Sequence, residues 1–375
     1  MPITNKVKFE TQEKTTVGLT NSSDWVFQGT MLDASKQTAG NDYLTICWVN
    51  AISPGSNAGA TKFAMEDGGG DLLGSNQQRH DTNSSGMHIS HIGEFTAADP
   101  PQNIGVYRKR ITGSNNEGTH YGQAFVIDLS YSGTSGGLEN AVDYVKSTDV
   151  TERTRSPGGT WHTQIVSHSG DYLILAAAKV YDSVDTVLVG LDVEGTVVSS
   201  GSRFTQNAAD MKTITFSVAQ NLASGDTIRL MNKDVNGATC IYSYVFCLKL
   251  GTPAPYDSTA AYDYQKTQKT SWTNYGTSGT WGTSIMNGSN DPSFIISMGR
   301  QTVFGADSGR MAAVTLRNRT KDEFMLFADR SEEGAYDPIY FPYTNVGQNT
   351  SQLETAIVVG TGNIGPFDNI NLETT

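Results

Sequence analysis

Basic charge is scarce in this chain, and charge of any sign is sparse. Lys and Arg number 26 against 38 Asp and Glu, for a net charge of −12 with 17% charged residues. A nucleic-acid partner demands a concentrated basic face, which this balance argues against. Also missing is any apolar run of the ~18 residues that a membrane-spanning helix needs; the apolar stretches are strand-sized. The amino terminus, MPITNKVKFETQEK, lacks the apolar centre of a secretory signal. The expectation is a protein that stays where it is made, or leaves inside an assembly or by lysis. Cysteine is limited to Cys47, Cys240 and Cys247, each inside an apolar run. Read as a strand, CIYSYVFC puts Cys240 and Cys247 on opposite faces. At roughly 3.3 Å per residue they stand about 23 Å apart, too far to bond. Buried free thiols are expected, with no disulfide framework.

Small polar residues take the place of charge. Thr suits a pleated surface, and Gly and Asn supply the positive φ of tight turns. With 37% hydrophobic and 9% aromatic residues the chain has enough to build cores. A length of 375 residues suggests two or three domains.

One phrase is written three times. Trp25, Trp161 and Trp281 stand 136 and then 120 residues apart. Ahead of each lies an aromatic residue (Phe9, Tyr144, Tyr264), a Thr-rich stretch and a turn signal. After each comes a polar loop and an apolar run opened by Tyr43, Tyr172 or Phe294. A domain-sized period of this kind predicts three copies of one module, at 1–130, 131–252 and 253–375. The glycine-rich SYSGTSGGLEN and the proline-bearing GTPAPYDST serve as linkers. Segment 138–146 reads as a short helix or the start of a strand.

The middle copy is the clearest. Strands are predicted at Asp171–Val180, Thr186–Val193, Thr196–Ser200, Lys212–Val218, Thr227–Asn232 and Ala238–Leu250, broken by Glu194-Gly195, Ser224-Gly225-Asp226 and Asn236-Gly237. No amphipathic helix separates them, so the fold class is all-β, in tandem antiparallel β-sandwich modules. The ends of the first two modules, GVYRKRITGSNNEGTHYGQAFVIDLS and DTIRLMNKDVNGATCIYSYVFCLKLG, read as hairpins. This strand order, with its last pair DTIRL and SYVFCLKL, resembles the jelly-roll modules of the TNF/C1q-like type. More broadly it is similar to tandem β-sandwiches of bacteriophage virion proteins, such as capsid decoration proteins and head or tail fibres. The resemblance implies a jelly roll that trimerises or seats on a multimeric shell.

Motifs for chemistry are thin. Gly133-Thr134-Ser135-Gly136-Gly137 has the form of a nucleophile turn but lies at a module boundary, where it reads as linker. Gly360-Thr361-Gly362-Asn363-Ile364-Gly365 follows an apolar run, yet too few residues remain to complete a dinucleotide unit. His88, His91 and Glu94 would cluster on a helix. On the strand that Met87 and Ile89 suggest, 88 and 91 face opposite ways and read as exposed polar residues. His162 and His168 flank a loop and are expected in solvent. The acidic turns at Asp182, Asp185 and Asp307 read as surface charge, with calcium left open. No cofactor or catalytic set is expected, and no metal site is assigned.

The recurrence of Trp25, Trp161 and Trp281 predicts core or inter-module packing, and Trp48 is expected in or beside a core. Trp272 has no counterpart in the other copies, so Trp272, Tyr275 and Tyr262 are the candidate ligand or docking surface. A flexible arm, Met1–Lys14, is a second docking candidate, removable up to Val7 without unfolding. The function expected is a non-enzymatic virion component on the particle surface: decoration, cement or fibre. Its partners would be other virion proteins and further copies of itself, with no nucleic acid or membrane. A glycan- or receptor-binding adhesin is the alternative, and a tailspike-like hydrolase lacks a visible catalytic set.

Overall fold

The computed structural model describes residues 7–15, 22–52, 58–66, 70–74, 78–80, 87–112, 118–132, 137–183, 185–205 and 211–250. Beyond these it describes the backbone of the C-terminal strands. Among the described residues the only helix is one 3-10 turn, Ala34–Lys36. The fold class is all-β and antiparallel in its first two units, as the strand spacing predicts.

The first unit has eight strands: β1 (Lys8–Thr15), β2 (Val26–Leu32), β3 (Asp42–Ile52), β4 (Ala58–Met65), β5 (Gln78–His80), β6 (Met87–Thr96), β7 (Ile104–Thr112) and β8 (Gly118–Asp128). They form two sheets, β1-β8-β3-β6 and β2-β7-β4-β5. First pairs with last, second with second-last, and so inward: a long antiparallel hairpin rolled into a sandwich. That is a jelly roll.

The second unit repeats it. Its strands are β9 (Tyr144–Asp149), β10 (Arg153–Arg155), β11 (Thr160–Ile165), β12 (Gly170–Tyr181), β13 (Asp185–Val193), β14 (Thr196–Thr205), β15 (Lys212–Leu222), β16 (Thr227–Asn232) and β17 (Ala238–Lys249). The sheets are β10-β17-β12-β15, with β9 also on β17, and β11-β16-β13-β14. Its β9 and β10 are one opening strand interrupted at 150–152, since both pair with β17. Segment 138–146 is a turn followed by the start of β9.

The repeated aromatics are the openings of equivalent strands. Phe9 lies in β1 and Tyr144 opens β9; Tyr43 opens β3 and Tyr172 opens β12. Tyr43 pairs with Asp128, and Tyr172 with Lys249, each at the far end of the last strand of its unit. Both hydroxyls tie down the loop before them: Tyr43 Oη accepts from Thr38 N at 2.7 Å, and Tyr172 Oη donates to His168 O at 2.7 Å.

The predicted closing hairpins are corrected by the pairing. Strand β7 bonds to β2 and β4, while β8 bonds to β1 and β3. In the second unit β16 and β17 likewise lie in different sheets. A turn signal fixes where the chain reverses, but a loop of several residues lets it cross to the other sheet. A tight hairpin does occur at β13–β14, where Glu194 and Gly195 have φ of 48° and 87°. Both positive values match the two-residue turn favoured by twisted strands. The amino-terminal arm is corrected too. Lys8–Thr15 is a strand paired along its length with β8, and Val7 is 4% exposed, inside the core. Removing Met1–Val7 therefore removes a core side chain.

The C-terminal strands are β18 (Tyr264–Gln268), β19 (Thr273–Asn274), β20 (Gly279–Asn287), β21 (Ser293–Val303), β22 (Asp307–Arg317), β23 (Glu323–Glu332), β24 (Gln352–Thr361) and β25 (Asp368–Thr374). Tyr264, Trp281 and Phe294 fall in β18, β20 and β21, in the order of the first two copies. The pairing departs from theirs, because β21 runs parallel to β23.

Two cores hold the described body. Met31, Leu32, Tyr43, Cys47, Val49, Phe63, Ile104 and Val126 fill the first sandwich. The larger core fills the second sandwich and continues across to the outer face of the first sheet, taking in Val7, Leu44, Ile46, Ile92, Ile127 and Leu129. In register, Leu175, Ala177, Lys179, Tyr242, Tyr244, Phe246, Tyr144 and Lys146 share the face of the second unit that meets them. Strands β12 and β17 are consequently buried on both sides. All three cysteines are buried free thiols, raised in pKa by burial.

Tyr242 reaches across this joint into the first sandwich. Its hydroxyl donates to Ile92 O at 3.0 Å. A Cβ on Gly74 would lie 2.4 Å from its ring. Gly74 and Gly40 both have positive φ, 83° and 76°, but Gly40 faces open space. Gly74→Ala should therefore cost about 1–3 kcal/mol more than Gly40→Ala in urea unfolding, the excess being overpacking against Tyr242. Equal costs would place Tyr242 elsewhere.

Candidate docking face

Three side-chain groups stand out, and they differ in what they can do. The first crosses the inside of the second sandwich. Ser147 Oγ lies 2.7 Å from His162 Nε2, and His162 Nδ1 lies 2.9 Å from Ser243 Oγ. His162 is 5% exposed, which corrects its expected place in solvent. A serine beside an imidazole has the form of a nucleophile and its base. Here the third partner is a neutral hydroxyl, which lends an imidazolium no charge stabilisation. Burial lowers the pKa of His162, opposed by Asp149. The group ties β9, β11 and β17 together. His168 lies in solvent as expected, its Nδ1 2.5 Å from Ala141 O.

The second group surrounds His91. Strand β6 is a strand as predicted, but His91 is 0% exposed rather than solvated. It sits among Phe63, Tyr242 and Cys47, with ring centroids 6.4 Å from Phe63 and 6.5 Å from Tyr242. Glu94 lies apart, ion-paired with Lys146 across the joint. The side chain of His88 is outside the described residues. Among the described residues no group of three or more His, Cys, Asp or Glu is placed to hold a metal.

The third group is on the surface and was not legible as a site. Alternation along β7 turns Ile104, Val106 and Arg108 inward, and Tyr107, Lys109 and Ile111 outward. In β4, Lys62 is the register partner of Tyr107. Trp25, at the foot of β2, lies over this face, with the ammonium groups of Lys62 and Lys109 each 4.8 Å from its ring centroid. Phe27 meets Tyr107 edge-on at 5.5 Å. Phe27 and Val26 remain 36% exposed, and Ile111 38%. Tyr107 is anchored by its hydroxyl, which donates to Glu66 O at 2.8 Å. Lys62 is ion-paired with Asp71, whereas Lys109 makes no ion pair among the described residues.

Trp25 and Trp161 thus occupy equivalent strands but opposite environments. Trp161 is 2% exposed in the core, as predicted; Trp25 is a half-exposed surface aromatic, contrary to prediction. The difference is one of phase: Trp161 is the second residue of β11, while Trp25 precedes β2. One step along a strand exchanges inside for outside. Trp272, Tyr275 and Tyr262, residues 133–136 and 362–365, and the side chains of Trp48, Trp281 and Asp307 lie outside the described residues.

A flat sheet face carrying aromatics and ammonium groups suits an anionic partner that also presents apolar surface. Cation–π contacts hold the lysines in place, and each ammonium keeps donors for a carboxylate, sulfate or phosphate.

No family model and no curated protein matches the chain. Among solved structures it is similar to the Eiger TNF of S. frugiperda, at 14% identity and a TM-score of 0.25, over 30% of this chain and 96% of that one. It is similar to the major capsid protein P2 of bacteriophage PM2, at 10% identity and a TM-score of 0.24, over 65% and 98%. It is similar also to the tandem CBM22 domains of Paenibacillus barcinonensis Xyn10C, at 8% identity and a TM-score of 0.18, over 65% and 93%. Likenesses at these scores carry no function across.

Trp161→Ala should cost about 3–5 kcal/mol of stability and Trp25→Ala less than about 1 kcal/mol, read by urea unfolding. Equal losses would return Trp25 to a core.

Proposed function

We propose that the chain is a non-enzymatic structural component of a virus particle, a decoration, cement or fibre protein on the virion surface of a bacteriophage. The observation that supports this reading most is the joining of two jelly rolls of identical strand order through one continuous apolar core. Jelly rolls recur in viral capsid and lectin domains, so fold analogy raises this reading without deciding it. Two sandwiches locked sheet to sheet make a thick body that bears load across its broad faces. Such faces suit contacts repeated by symmetry on a shell or between copies, a trimer included. The division into three units at 1–130, 131–252 and 253–375 belongs to the same reading.

A second reading, an adhesin for an acidic glycan, is favoured by one feature: Trp25 with Lys62 and Lys109 on an exposed sheet face. Aromatic rings offer a surface to the apolar faces of sugars, and ammonium groups pair with their acidic substituents.

The test compares particle incorporation with glycan binding. Mass spectrometry of purified particles should find the chain at stoichiometric copy number, and Lys62→Ala with Lys109→Ala should leave that number unchanged if the face serves glycans. The same double variant should weaken binding to heparin, used as an acidic probe, roughly ten-fold, or about 1.4 kcal/mol. A chain that stays monomeric at high concentration and is absent from particles overturns the structural reading. Loss of incorporation in the double variant, with no heparin binding by the parent, assigns the face to a virion partner instead.

A further inference from the structure

We propose that the joint between the two sandwiches is an acid-opened latch, in which proton uptake around His91 separates the sheets without unfolding either sandwich.

His91 is fully buried, and among the described residues neither ring nitrogen has a hydrogen-bond partner. A neutral imidazole carries one N–H, and burying it unbonded is a cost that Leu or Phe at the same place would not incur. The position is not an arbitrary part of the core. It lies where Tyr242 of the second sandwich enters the first, its ring stacked on His91 at 6.5 Å and 29°. The fit is close: a Cβ on Gly93 would lie 2.7 Å from both the His91 ring and the Tyr242 hydroxyl. A second cation is buried there, because Lys179 is 0% exposed and shares the joint face with its register partner Tyr242.

The charged and titratable groups around the joint show what a proton would meet. From β12 comes Lys179, and from β17 Tyr242, whose pKa burial raises. From β3 comes Cys47, a buried thiol bonded to Thr45. Strand β4 contributes apolar Phe63, and β7 carries buried Arg108; on β15 the register partner of Lys179 is the uncharged Thr213, with Lys212 turned to the other face. Two carboxylates act on the group from its edge. Asp71 raises the pKa of Lys179 but is itself paired with Lys62, and Glu94 is paired with Lys146. No carboxylate contacts His91 among the described residues. An imidazolium there would be buried near Lys179, with no acceptor for either of its own N–H groups among the described residues.

The direction follows. Burial, then the charge of Lys179, holds His91 at about 3, below its ordinary 6.5. Burial holds Lys179 at about 7, below its ordinary 10.5, against the pull of Asp71. Both groups bind protons more tightly once the joint opens. The closed state keeps its full stability above the ordinary values and loses it as pH falls, between 10.5 and 7 for Lys179 and between 6.5 and 3 for His91. At neutral pH Lys179 has already taken up part of its proton, so His91 decides opening in acid.

The experiment uses the full chain with spin labels on cysteines introduced at exposed Thr38 and Val235, one on each sandwich. The native thiols are buried and stay unlabelled. Electron–electron distance measurement should give one narrow distance at pH 8 and a longer, broad distribution in acid, with near-UV circular dichroism retained. His91→Leu should lower the opening midpoint by about one pH unit or more, and Tyr242→Phe should raise it. Should His91→Leu fail to fold, the 13C resonance of the His91 ring in the parent chain serves: it should stay neutral until the distance lengthens, then titrate with it. The proposal fails if the distance holds to pH 3, if His91→Leu opens at the parent's midpoint, if opening and loss of near-UV signal coincide, or if His91 titrates near 6.5 in the closed joint.

Discussion

Burial of one sheet on both of its faces is the constraint on which the described body depends. The sheet β10-β17-β12-β15 closes the second sandwich with one side and covers the first with the other. Its central strand β12 is GDYLILAAAKVY, and only its two ends escape burial. An antiparallel sheet with one solvated face would show clean alternation. Here Leu173, Leu175 and Ala177 line one side while Ile174, Ala176 and Ala178 line the other. The run of alanines lets the backbones of neighbouring layers approach. At about 1.5–3 kcal/mol for a fully buried large apolar side chain, Leu44, Ile46, Ile92 and Ile127 make the joint comparable to a small core in its own right. Tyr242, Lys179 and His91 give that otherwise non-directional contact a fixed register and a polar weakness at one place.

Much of the second sandwich was legible. Strand β16 falls on the predicted residues, and β12, β13 and β17 fall within one residue of prediction at each end. The repeated aromatics marked equivalent strand openings because those positions close the ends of both sandwiches. What sequence does not carry is the partner of each strand. Turn chemistry at Asn236-Gly237 says that the chain reverses, and it leaves open whether the next strand returns to the same sheet. The arm was misread for a related reason: in KFETQEKT only Phe9 is apolar, so no alternation marks a strand, and only its pairing with β8 separates it from a tail.

The candidate face was hidden by the same repeat that revealed the fold. Equating Trp25 with Trp161 assumed that a shared strand implies a shared phase, and a one-residue offset moved Trp25 outside. The outward alternation of Tyr107 and Lys109 in GVYRKRIT was present in the sequence as the signal that could have found it. His91 was assigned to solvent because polar residues on strands usually lie there, and His162 because it flanks a polar loop. Each is buried for a tertiary reason: His91 faces the inside of its own sandwich beside Cys47 and Phe63, where Tyr242 of the neighbour also reaches it, and His162 lies between two serines from other strands. The joined sheets of the two sandwiches supply rigidity, and an outer sheet face of the first carries the exposed aromatic and basic chemistry.

Native-state hydrogen exchange with increasing urea tests the shared core most directly. Amides of β6 and of β17 lie on opposite sides of the joint and are bonded within different sheets. The account predicts that their slowest amides at neutral pH exchange through one common opening, with a single free energy and a single urea dependence. Two separate openings, each with the smaller urea dependence of a lone sandwich, would contradict it.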